Sequence, residues 1–166
     1  MISRIIGVRH SIPEDAAGGL RLILEPGYEK AKTLGLILAM QLLGQKALVL
    51  CSPRLEAYMT ALIIAMCCDE LTIVTHPDLL DPSSCKPRGD APDFITDEAE
   101  RHEASVVIIV HHAGQVEQLC TNVARELGHE VNYSWEVGEF LERELNYAEA
   151  VVLDLEKSGL KVSYLN

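Results

Sequence analysis

Three short runs in this 166-residue chain combine imidazole, guanidinium and hydroxyl side chains: Arg9-His10-Ser11, Ser52-Pro53-Arg54 and His111-His112-Ala113-Gly114. A neutral imidazole is a competent nucleophile and proton carrier near neutral pH. Guanidinium groups bind anions and offset their charge. Each run directly follows a short apolar stretch rich in β-branched residues, so each sits where a strand passes into a loop. In open α/β sheets ligands bind outside the carboxyl ends of strands, which lets runs far apart in sequence converge on one site. His111 and His112 are neighbours, and a strand points successive side chains to opposite faces, so at most one of them faces such a site. A pair this close is also a poor metal chelate, and no metal site is expected. His76, His102 and His129 read as surface histidines.

The elements that must position these residues follow from hydrophobic period. Short β-branched runs alternate with longer segments of helical period, the signature of an α/β layer structure with a largely parallel sheet. The first strand is read over Ile2–Val8. A loop over Ser11–Glu25, with Pro13 and the Gly18-Gly19 pair, leads to a helix opened by Pro26 and closed near Gly44, whose buried face is Ala31, Leu34, Leu38 and Leu42. The second strand, Ala47–Cys51, is followed by Ser52 as a helix cap and Pro53 at the first helical position, with the helix running to about Cys68. Leu71–Thr75 is a third strand. His76–Pro92 holds four prolines and reads as a long loop, and long loops in compact domains are often functional. Asp93–Glu103 is read as a helix whose acidic residues Glu98, Glu100 and Glu103 form a solvated face. Ser105–Val110 is a central strand, apolar on both faces, with Gln115–Leu127 the helix behind it. A short amphipathic helix over Ser134–Glu144 precedes a closing hairpin of Ala150–Leu155 and Leu160–Leu165 around Lys157-Ser158-Gly159. The expectation is one domain over 1–166, a three-layer α/β/α sandwich with a mixed, mainly parallel central sheet.

Composition narrows the function classes. The chain is 48% hydrophobic and 23% charged, with five cysteines in no metal-binding spacing. Its formal charge of -11 repels nucleic-acid phosphates and anionic membranes, so neither is expected as a partner. No segment approaches the length of a membrane span and the N-terminal apolar run is too short for a signal peptide, so a reducing cytoplasm is the expected location. Any phosphate site must be a local basic pocket in an acidic surface.

Taken in order, a strand ending in Arg9-His10, a Ser52-Pro53 helix opening with Thr60-Ala61 further on, and a strand ending in His112 resemble the histidine phosphatase (phosphoglycerate mutase-like) superfamily over nearly the whole chain. The short length and the run from Arg21 to Gly27 look most like its small bacterial phosphohistidine phosphatase branch. The resemblance implies a phosphatase that hydrolyses a phosphomonoester or phosphohistidine through a phosphohistidine intermediate on His10, with no cofactor. Its substrate would be a phosphorylated small molecule or a phosphoprotein. Arg9 and His112 would act in catalysis and bind phosphate, Arg21, Arg54 and Ser11 would complete the phosphate site, and Asp81 would be the proton donor. Ser11 replaces the family's glycine after Arg-His.

One position departs from the pattern. Where the family carries a phosphate-binding arginine three residues after the proline, this chain has Glu56, and a carboxylate beside a phosphate dianion is repulsive. Arg54, two residues earlier in the first turn of the same helix, can substitute if Glu56 turns aside or pairs with a neighbouring cation. The departure motivates a second reading, a catalytically impaired relative that binds a phosphorylated ligand or a protein partner.

Overall fold

The computed structural model describes residues 1–15, 20–68, 71–76, 79, 89–130, 145–156 and 159–165. Its main sheet has the order β5-β4-β6-β1-β7-β8. The strands are β1 (Arg4–Arg9), β4 (Ala47–Cys51), β5 (Thr72–Thr75), β6 (Val106–His111), β7 (Ala150–Glu156) and β8 (Gly159–Leu165). The pairs β5/β4, β4/β6 and β6/β1 are parallel, and β7 joins β1 antiparallel to bring in the closing hairpin. The protein is thus an α/β fold with a mixed, mainly parallel sheet.

Alternation along the central strands divides the core. Ile5, Leu48, Leu50, Val107 and Ile109 pack with residues of helices α3 (Ala91–Arg101) and α4 (Gln115–Glu126) on one face. Ile6, Val8, Val49, Ile108 and Val110 pack on the other with α1 (Gly27–Gln41) and α2 (Leu55–Cys67). Every residue of β4 and β6 is buried, which is why these strands show no polar alternation in sequence. Ala31, Leu34, Leu38 and Leu42 face inward from α1 and its end, as their spacing predicts. Gly7 lets β1 approach α4 closely, since a Cβ there would lie 2.5 Å from Cys120 Sγ. Strand β1 lies in the interior of the sheet, between β6 and β7, with its last residue Arg9 and the following His10 at the carboxyl edge.

Several boundaries differ from the sequence reading. The segment 11–25 is no plain loop: β2 (Pro13–Asp15) and β3 (Arg21–Ile23) pair antiparallel across it. Helix α2 opens at Leu55, two residues later than Ser52-Pro53 suggested, because Arg54 keeps an extended backbone (φ -70°, ψ 141°). Ser52 caps no helix; its N–H donates to Val110 O at 3.0 Å and so prolongs the sheet. Helix α3 starts earlier, at Ala91, with Pro92 in its first turn, where a missing N–H is harmless. Glu98 is not solvated: it is buried and paired with Arg101 and His102, while Glu103 pairs with Lys46 at 2.8 Å. Asp81, the 134–144 segment and Lys157-Ser158 lie outside the described residues.

Candidate functional site

The parallel register Arg9↔His111 sets the carboxyl ends of β1 and β6 side by side, and His10 N–H continues the ladder to His111 O at 2.9 Å. The pleat then separates the two adjacent histidines. His111 is fully buried, its Nε2 2.7 Å from Leu79 O and its Nδ1 2.8 Å from the His112 N–H. A carbonyl only accepts and an amide N–H only donates, so Nε2 carries the His111 proton. His112 is half-buried and meets His10 edge to face, ring centroids 4.8 Å apart.

His10 is held by the residue that follows it. Its Nδ1 donates to Ser11 O at 2.8 Å, which leaves Nε2 with its lone pair turned from the backbone. Ser11 is itself clamped: its N–H donates to Thr60 Oγ1 at 2.9 Å and its hydroxyl to Gly27 O at 2.6 Å. Gly27 must be glycine here, because a Cβ would sit 2.3 Å from the Ile12 carbonyl oxygen. Ser11 was expected among the phosphate-binding groups. Fully buried, with its proton committed to Gly27, it serves instead as a brace that fixes His10.

The cations are arranged more loosely. Arg9 donates from Nη1 to Leu145 O at 2.7 Å and lies over the Tyr147 ring, 4.2 Å from its centroid, and that ring is 5.5 Å from the His10 ring. Arg21 is exposed on β3, 3.7 Å from Asp15. Arg54 Nη1 stands 3.9 Å from Glu56 Oε1. Glu56 does not turn aside, since it is only 4% exposed and one of its oxygens lies within 4.8 Å of a ring nitrogen of both His10 and His112. These three side chains form a set able to hold a metal ion, contributed by three junctions distant in sequence. Tyr147 is a second wall that sequence reasoning missed: the 145–149 segment has no period to read, and it is anchored by Leu145 N–H donating to buried Glu117 at 3.2 Å.

Burial favours the neutral form of all three imidazoles. Burial pushes His111 down to about 4, against the raising effect of the Leu79 carbonyl and helped by His10 and Arg54. Burial, then His111, His10, Arg54 and Arg21, push His112 down to about 3. His10 is lowered as well, burial outweighing the Ser11 carbonyl and Glu56, with Arg9 and Arg21 adding to it. A depressed histidine contributes stability that is complete above the unfolded value of about 6.5 and is lost as pH falls toward the folded value. Between pH 7.5 and 5.0, above the range of ordinary carboxylates, His111 alone is expected to remove about 2 kcal/mol of folding stability. Urea unfolding at the two pH values, with chelator present, checks this; a flat profile, or one that His111→Gln leaves unchanged, would contradict it.

The architecture is that of the histidine phosphatase fold. A protein from Agrobacterium tumefaciens that carries the name phosphohistidine phosphatase SixA superposes with a TM-score of 0.68 at 17% identity, covering 99% of this chain and 98% of its own. The protein histidine phosphatase SixA in complex with tungstate gives 0.64 at 17% identity, over 98% and 94% of the two chains. Phosphoglycerate mutase from Plasmodium falciparum gives 0.53 at 20% identity, over 98% and 88%. No protein-family model and no curated protein sequence matches the chain significantly. At these identities the likeness establishes the fold. No helix among the described residues is long and apolar enough to cross a membrane.

Proposed function

We propose that the chain is a phosphatase that transfers a phosphoryl group from a phosphorylated small molecule or phosphoprotein to His10 and then to water. The observation that carries this is His10 itself, an imidazole whose Nδ1–H is tied to Ser11 O, which leaves the Nε2 lone pair for attack, edge to face with His112. Nε2 attacks phosphorus in line, the bond from phosphorus to the leaving oxygen or nitrogen breaks with its electron pair, and the leaving atom takes a proton. Water then attacks the phosphohistidine, releasing phosphate and returning the lone pair to Nε2. In this reading Arg9, Arg21, Arg54 and His112 offset charge on the equatorial oxygens, and Asp81 is the proposed proton donor. A phosphoramidate such as phosphohistidine asks less of that acid than a phosphomonoester does. The tungstate complex of a structural neighbour agrees with an oxyanion site in this fold. A cytoplasmic location suits the four free thiols among the described residues.

Glu56 supports a second reading, a slow or silent relative that binds a phosphate-bearing ligand or a protein partner. At an effective dielectric of about 20, a carboxylate some 4 Å from a phosphate dianion is opposed by several kcal/mol, offset in part by Arg54. Purified protein incubated with phosphoramidate, phosphohistidine and an aryl phosphate decides between the two. The phosphatase reading expects release of inorganic phosphate and an acid-labile, base-stable phosphoryl label on the protein. No turnover of any of the three by folded protein would sink it and leave the binding reading.

A further inference from the structure

The set His10, Glu56 and His112 brings one possible ligand atom from each residue within 4.8 Å of the others. Two of the donors are orphans. Glu56 Oε1 and His112 Nε2 are shielded from solvent and have no hydrogen-bond partner among the described residues. Native interiors rarely leave such atoms unmatched, and each calls for an explanation. Arg54 Nη1 reaches Oε1 only as a long ion pair, 3.9 Å away and beyond hydrogen-bond range, from a side chain 42% exposed to solvent. An ion held between the three side chains would satisfy both orphans at once.

The donor chemistry is selective. Two imidazole nitrogens and one carboxylate oxygen, with a fourth position left open, is the ligand set of open zinc sites. His10 also has the outer contact that orients a ligating imidazole, its other nitrogen donating to a backbone carbonyl, here Ser11 O at 2.8 Å. From this convergence we infer that His10 Nε2, His112 Nε2 and Glu56 form a site for a divalent transition-metal ion of the zinc class. Ligand atoms around tetrahedral zinc stand about 3.3 Å apart, so binding draws the side chains together by at most about 1.5 Å. Glu56, which spoils an anion site, completes a cation site. The ion takes the same lone pair of His10 that phosphoryl transfer uses, so the metal-loaded and phosphoryl-accepting states exclude each other. This goes beyond the phosphatase reading and is tested without turnover.

Calorimetric titration of the full chain with zinc chloride is expected to show a saturable site that Glu56→Gln and His112→Gln each weaken at least about tenfold. Cobalt(II) in the same site should give the intense visible absorption of a four-coordinate ion, lost in both variants. Arg54→Ala, on the exposed side of the site, should tighten binding by removing the competing cation. Thermal unfolding establishes that each protein compared is folded, and the two ligand variants lie on different elements, so failure of one to fold leaves the other. Absence of saturable binding overturns the inference, as does binding that the folded ligand variants leave unchanged, which would place the ion elsewhere, for example on the thiols of Cys67 and Cys68. Protein that binds zinc in this pattern yet turns over no phosphate would remove the phosphatase reading alone. Undiminished turnover in saturating zinc would remove the metal site alone.

Discussion

His10→Ala is expected to lower phosphate release at least on the order of a thousand-fold and to abolish the phosphoryl label on the protein. Loss of a nucleophile removes the covalent route altogether, and what survives is the contribution of binding and charge stabilisation, which in other covalent enzymes is far smaller than the intact machinery. The label is the sharper readout, because a structural role for His10 would not attach phosphorus to it. His10 is 4% exposed and, among the described residues, its single side-chain hydrogen bond goes to its own neighbour, so truncation leaves a small cavity and strands no described partner beyond the Ser11 carbonyl. The folded variant should therefore be recoverable for the comparison. A variant that retains label or rate would move the chemistry to another residue.

Glu56→Arg is expected to act in the opposite direction, raising kcat/KM about 10²- to 10³-fold, the range that a single well-placed charge-stabilising donor supplies. The argument is one of sign. Position 56 lies in the first turn of α2, and its side chain stands against both imidazoles of the proposed phosphoryl site. A carboxylate there opposes the dianion in the ground state and the transition state alike; a guanidinium offsets the charge on the equatorial oxygens and removes the repulsion. The substitution also deletes an acidic zinc ligand, so the same variant should gain turnover and lose metal. A folded Glu56→Arg protein no faster than the parent would show that the carboxylate is not what limits the site.

Most of the layer architecture was legible because the apolar pattern of the central strands and the one-sided period of α1 are dictated by burial on the sheet. The β2–β3 hairpin was not, since three-residue strands with an exposed glutamate and aspartate carry too little alternation to read. The start of α2 was misjudged because Ser52 and Pro53 have the right chemistry for a helix opening, while the ladder to Val110 O claims the Ser52 backbone first. Within the candidate site, the two-residue period of a strand allowed only one of His111 and His112 to face the site, and the family resemblance picked His112. The roles of Ser11 and Glu56 did not follow, because each depends on groups 16 to 56 residues away in sequence: Gly27 O and Thr60 Oγ1 for one, His10 and His112 for the other. Tyr147 could be found only by folding the chain.

The pleat at the end of β6 has a consequence for how this site tolerates change. Two chemically identical side chains stand next to each other, and nothing but their place in the ladder makes one an internal strut against Leu79 O and the other a wall of the pocket. The difference is therefore stored as length rather than as residue type. Apolar exchanges of similar volume along Val106–Val110 leave the assignment intact, whereas gain or loss of one residue in β6 would turn each histidine to the opposite face of the sheet. In descendants of this chain, the strand should accept apolar exchanges of similar volume and length changes almost never.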